Sequence, residues 1–189
     1  MSNSLIEVNN LKKTFGGLTA VDIKQLGFNK GQLTSIIGPN GAGKTTFFDL
    51  ISGFQNSDSG DIHLKNKDIS NFQPYKIARM GMVRTFQLTK VFDRMTVLEN
   101  LLFSGSEISN DSLFKSVIKS KSQKKYEENL KDKAKNIMED LNILHMADSY
   151  ARELSGGQKK LLELARSIIN EPEICLLYTS DAADEMRRG

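Results

Sequence analysis

Gly38-Pro39-Asn40-Gly41-Ala42-Gly43-Lys44-Thr45-Thr46 follows an apolar run, Leu33 to Ile37, and leads into Phe47, Phe48, Leu50 and Ile51. Its first eight residues fit the pattern G-x-x-x-x-G-K-[ST]. The glycines let the backbone curl so that successive N–H groups converge on phosphate oxygens. The apolar run before the loop predicts a buried strand. The residues after it predict a helix packed on a sheet, with Gly53 as its C-terminal cap. A helix opening near Gly43 points its positive dipole end at the same place. Lys44 brings a mobile cation to the outer phosphates, and the Thr45 hydroxyl is placed to coordinate Mg²⁺. Strand, loop and helix in this order predict an α/β fold that binds a nucleoside triphosphate.

On the N-terminal side, Ile6 to Val8 reads as another buried strand. On the C-terminal side, Asp61 to Leu64 with a turn at Asn66-Lys67 predicts a hairpin. Pro74 to Met80 predicts a short helix, and Met82 to Phe86 a strand. Thr96-Val97-Leu98-Glu99 is a capping-box pattern opening a further helix. Residues 104 to 125 are rich in Ser, Asn and Lys without a period and read as a loop or insertion. The helical stripe Tyr126, Leu130, Ala134, Ile137, Met138 and Leu141 follows. Ser155 is placed to cap a helix with Leu161, Leu162, Ala165, Ile168 and Ile169 inward, and Glu173 to Leu177 reads as a final buried strand.

Composition bounds the function. The 189 residues carry 26 basic and 23 acidic groups for a net charge of +3, a near balance that does not argue for nucleic acid, and none is expected as a partner. The lone Cys175 excludes an internal disulfide and fits a reducing cytoplasm. No run approaches the about 18 to 20 apolar residues that a spanning helix needs. The polar N-terminus does not read as a signal peptide.

Leu154-Ser155-Gly156-Gly157-Gln158, a serine and two glycines at a helix start, reads as a second exposed anion site or, taken in isolation, at least as well as a glycine-bearing N-cap. With the phosphate loop about a hundred residues before it, the chain resembles the nucleotide-binding subunit of an ATP-binding cassette (ABC) transporter, from about residue 5 to 177. Gly38 to Thr46 matches that family's Walker A motif, and Leu154 to Gln158 matches its signature. Gln87 falls at the Q-loop glutamine, which in the family contacts Mg²⁺ and the attacking water and faces the transmembrane partner. Phe15 falls at the aromatic position that stacks on adenine; by itself a phenylalanine there reads more often as core, and the other motifs in register favour stacking. Phe15 to Val21, Ile77 to Gln87 and Met95 to Asn100 are similar to the ATP-binding subunits of branched-chain amino acid importers. Urea importers and lipopolysaccharide-export ATPases share parts of the pattern.

The resemblance implies a P-loop NTPase core with an antiparallel β-subdomain and a helical subdomain at about 96–160. It implies ATP and Mg²⁺ as cofactors, with Thr45 and Gln87 at the metal. It also implies head-to-tail pairing with a second ATPase subunit, so that Ser155, Gly156 and Gly157 cover the partner's nucleotide. Permease subunits would be energised from the cytoplasmic face of the cell membrane. Non-transport ABC proteins are the alternative, normally marked by tandem cassettes or basic patches that this sequence lacks.

The pattern breaks after Ile174-Cys175-Leu176-Leu177. The family continues with Asp-Glu, which hold Mg²⁺ and polarise the water; here Tyr178 and Thr179 stand instead. His63 and His145 precede the signature, so neither is the family's switch histidine. The expectation is an incomplete nucleotide-binding domain at 1–177 whose last strands are missing. Residues 178–189 would be a non-native tail, and the chain would lack a catalytic carboxylate.

Overall fold

The computed structural model describes residues 4–85, 91–106 and 121–177, apart from the side chains of 121–123. The chain divides into two compact units, Met1–Met82 and Val83–Gly189.

The first unit is built on β1 (Ser4–Phe15), which lies between β2 (Leu18–Asn29) and β3 (Ser59–Leu64); β3 also pairs with β4 (Lys67–Asp68). All three pairings are antiparallel. Ile6 and Val8 face Leu64 and Ile62 across the β1–β3 ladder, and all four are buried. Strict alternation would turn Leu11 outward. Asn10 adopts φ +47°, and the register shifts between Asn9 and Lys12, which returns Leu11 to the buried face. Gly60 lies against this bulge, at φ +86°, where a side chain would run into the Asn10 carbonyl. The β1–β2 hairpin closes through Gly16 and Gly17, both at positive φ, as a tight two-residue hairpin requires. The β3–β4 turn falls on Lys65 and Asn66, one residue earlier than its sequence suggests.

Helix α1 (Lys44–Ile51) buries Phe47, Leu50 and Ile51. The Phe47 ring lies 6.3 Å from that of Phe28 on β2. Gly53 takes φ +74° just past the helix, as its C-terminal position demands. Helix α2 (Pro74–Arg79) starts on its proline and buries Ile77. The expected strand Leu33 to Ile37 is a correction. It joins neither sheet formed by the described residues, and Leu33 and Ile37 are 96% and 92% exposed. A parallel core strand is stabilised by neighbours on both sides; local apolar character alone does not form one.

Strand β5 (Met82–Arg84), whose last two residues open the second unit, and β6 (Ile174–Leu176) make a two-stranded sheet, extended by a bond from the Thr85 N–H to the Leu176 carbonyl. Both strands are shorter than expected, Phe86 lies outside the described residues, and Leu177 is exposed. Helices α3 (Val97–Gly105), α4 (Lys121–Asp140) and α5 (Gly156–Ile168) enclose the core of this unit. Leu101, Ala134, Met138, Leu162 and Ala165 are fully buried in it. The expected loop over 104–125 is corrected at both ends. Ser104 and Gly105 belong to α3, and 121–125 are already helical; 107–120 lie outside the described residues. Leu161 is not inward but exposed, one position off the stripe of Leu162, Ala165 and Ile169.

Candidate functional site

Gly43 is the hinge of the phosphate loop. It is the N-cap of α1 with φ +79°, and a Cβ there would collide with the Ala20 carbonyl of β2. Conformation and close approach both require glycine. The loop closes on itself through a bond from the Ala42 N–H to the Pro39 carbonyl, 3.1 Å, and Gly41 contributes φ +84°. Lys44 Nζ donates to the carbonyls of Gly38 and Pro39, the latter at 3.0 Å, so the ammonium sits at the mouth of the loop. Thr45 is exposed in the first turn of α1, and Thr46 is half-buried behind it. One cation, a turn of positive-φ backbone and a helix N-terminus converge on one place. That donor set suits the charged oxygens of a polyphosphate, and the Thr45 hydroxyl suits a hard cation bound to them.

Phe15 ends β1 and is 44% exposed, with Lys13 Nζ 5.6 Å from the ring centroid. It is not a core residue. Asp58, which sequence reasoning missed, fixes this corner. Its carboxylate accepts from Lys13 Nζ at 2.8 Å and from the Thr14 N–H at 2.7 Å, while its own N–H donates to the Lys12 carbonyl. The Lys13 hydrogen bond, joined by that of Thr14, holds the Asp58 carboxyl below the usual carboxylate range.

Ser155 caps α5 in a reciprocal pair. Its hydroxyl accepts from the Gln158 N–H, and Gln158 Oε1 accepts from the Ser155 N–H at 2.8 Å. Leu154 is buried and anchors the motif, whereas Ser155, Gly156 and Gly157 are exposed. Neither glycine has positive φ, and a Cβ on either would meet nothing within 4 Å. No interior contact demands glycine at these two positions.

Of the remaining expected residues, Gln87, Tyr178 and Thr179 lie outside the described residues. Among the described residues no cluster of His, Cys, Asp or Glu could hold a metal. Nor is any described helix long and apolar enough to cross a membrane. Cys175 is half-buried beside Ser167 Oγ at 3.4 Å, and burial pushes its thiol pKa up, which makes it a poor nucleophile.

The family described as ABC transporter matches residues 21–178, spanning both the phosphate loop and the capped glycine pair. The chain belongs to the ABC transporter family. It is 43% identical over 173 residues to the "Probable branched-chain amino acid transport ATP-binding protein LivG" of Archaeoglobus fulgidus, across 92% of this chain and 66% of that protein. It is 38% identical over 177 residues to the high-affinity branched-chain amino acid transport ATP-binding protein LivG of Salmonella typhimurium, across 94% and 69%. Among solved structures, an ATP-binding cassette of an ABC transporter in its ADP conformation superposes with a TM-score of 0.72 at 40% identity. That match covers 92% of this chain and 68% of the other. The chain thus spans about two thirds of the length of these ABC relatives. Their likeness bears out the α/β P-loop fold expected from the motifs.

Proposed function

We propose that this chain is the nucleotide-binding part of an ATP-driven importer of branched-chain amino acids, and that its glycine pair serves a nucleotide held by a second subunit. Open space over Gly156 and Gly157 carries this reading. Glycine at a helix start with ordinary φ and no crowding costs stability relative to alanine. Its use in both positions is explained by a ligand approaching from outside the chain. A carboxylate- or phosphate-bearing group there would meet the N-terminus of α5 and the Ser155 hydroxyl.

In this reading Lys44 and the loop N–H groups hold the ATP phosphates, Thr45 and Gln87 hold Mg²⁺, and Phe15 stacks on the adenine. Mg²⁺ would neutralise charge building on the outer phosphates; the chain itself orients and binds them. Permease subunits at the inner face of a membrane would be the other partners. The solute rests on the names of the relatives and on the stretches Phe15 to Val21, Ile77 to Gln87 and Met95 to Asn100. Urea import and lipopolysaccharide export are the alternatives, and permease and binding-protein genes beside the locus distinguish them.

Residues 178–189 form a non-native tail in the same reading, and helices between about 96 and 160 form the helical subdomain. With Tyr178 and Thr179 where a water-polarising carboxylate belongs, the chain binds ATP and hydrolyses essentially none. The test is a pair of assays on purified protein. A fluorescent ATP analogue should bind, and Lys44→Ala should abolish that binding. Steady-state phosphate release should stay at background. Robust turnover by residues 1–189 overturns the hydrolysis-deficient reading, and an intact reading frame through Gly189 in independent genomic reads overturns the tail.

A further inference from the structure

Asn100 is fully buried in a helix whose other inward residues are apolar. Among the described residues its side chain bonds to backbone atoms alone. Its Oδ1 accepts from the Phe92 N–H at 2.9 Å, and its Nδ2 reaches the carbonyls of Phe92, Met95 and Thr96 at 3.1, 3.3 and 2.9 Å. A buried amide with backbone partners only specifies the path of that backbone; an apolar residue would fill the same volume without doing so. Asn100 therefore dictates the conformation of the loop Phe92–Thr96.

That loop is gripped by residues on both sides of the Leu154–Gln158 motif. Before the motif, the N–H groups of Ala151 and Arg152 donate to the carbonyls of Met95 and Asp93, at 2.9 and 3.2 Å. After it, Lys159 Nζ meets the Asp93 carboxylate at 3.3 Å. The Arg166 guanidinium lies 4.6 Å from the centre of the Phe92 ring, which also packs edge-on against Phe103 at 4.9 Å. The start of α5 is thus seated on a platform whose shape is held by one buried amide.

We infer that Asn100 is a positioning residue for the signature: through the loop Phe92–Thr96 it fixes the orientation in which Ser155, Gly156 and Gly157 are presented. What the signature is presented to rests on the reading above; the seating itself does not. Asn100 is fully buried, and among the described residues the bonds of its side chain all go to this loop. A change in the loop, whether by substitution or by a partner pressing on it, is transmitted to the start of α5.

Native-state hydrogen exchange of the 189-residue chain tests the linkage without nucleotide. In Asn100→Leu the amides of Phe92 and Met95 lose their framework. Exchange should rise about tenfold or more there, and also at Gln158 and Lys159, whose N–H groups bond to Ser155 Oγ and its carbonyl. Amides in the middle of α4 should hold their protection. An equal rise across α4 means general destabilisation and overturns the inference. So does a rise confined to the loop with Gln158 and Lys159 unchanged. If Asn100→Leu does not fold, Phe92→Ala removes a partly exposed ring and spares the Asn100 bonds to the backbone. It should loosen Gln158 and Lys159 several-fold, and no change there again overturns the linkage. Failure of the wild-type chain to pair in Mg-ATP would count against the composite site and leave this linkage standing.

Discussion

Replacing Gly156 and Gly157 with alanine should make the protein more stable and less able to function. Both residues sit in the first turn of α5 after the Ser155 cap, at φ values that alanine adopts freely, with no atom within 4 Å of where either methyl group would sit. Alanine narrows the unfolded ensemble without straining the folded one, a gain of about 0.4 to 1 kcal/mol per site. Two sites give about 1 to 2 kcal/mol, which in a chain of this size raises Tm by about 2 to 8 °C. Thermal unfolding by circular dichroism measures it. Nucleotide binding at the phosphate loop should be unchanged, because Lys44 and Gly43 are untouched. Mg-ATP-dependent pairing, followed by sedimentation velocity, should be lost as two methyl groups fill the space a partner's phosphates need. A fall in Tm would show that the glycines serve the chain's own packing and refute the reasoning. Undiminished pairing would refute the ligand that the open space implies.

Gly43→Ala should lower stability by more than about 1 kcal/mol and abolish binding of a fluorescent ATP analogue, since φ +79° and the Ala20 carbonyl both oppose a Cβ. Gly41→Ala, strained only by φ +84° with open space around it, should retain more binding in the same titration. Asp58→Asn bears on pH. The native carboxyl is held low by Lys13 and Thr14, so its contribution is present above the unfolded pKa and lost as pH falls through the lower folded value. The Tm gap between wild type and Asp58→Asn should be constant above about pH 5 and close below about pH 4, and a gap that widens in acid contradicts the assignment. Leu33→Ser with Ile37→Ser should leave Tm nearly unchanged and reduce light scattering in concentrated solution, because both side chains lie in water. A loss of several kcal/mol would show that the segment is buried.

The motifs were legible because their chemistry is local. A glycine at φ +79°, a lysine one residue later and a threonine after that are set by what one loop must do, and the structure brings them together at the start of α1. The same holds for the capping boxes at Thr96 and Ser155, each closed within four residues. What sequence reasoning missed is non-local. Asp58 reaches back to Lys13 and Thr14, more than forty residues away. Asn100 does its work through backbone atoms of a preceding loop, and its one sequence signal is a polar residue where an apolar one belongs.

Leu33 to Ile37 is the instructive failure. Its residues are apolar and β-prone, and that much a local reading recovers. A core strand also needs neighbours, and a sheet is stabilised pair by pair across strands. Here those neighbours are not supplied by β1 to β6, so the segment joins no sheet of the described residues, and Leu33 and Ile37 stay exposed just before the phosphate loop. The loop nevertheless keeps its form, because Gly43 packs on Ala20 and α1 packs on β2 through Phe47 and Phe28. Under the proposed function, binding and catalysis separate in this chain. The loop Gly38–Thr46 draws on contacts within Met1–Met82, whereas the proposed reading asks for a water-polarising carboxylate after β6, where the sequence has Tyr178 and Thr179. Restoring Asp and Glu at those two positions would add the missing groups without supplying strand neighbours for Leu33 to Ile37. Tyr178→Asp with Thr179→Glu should accordingly leave phosphate release at background, and recovered turnover would show that the carboxylates alone were lacking.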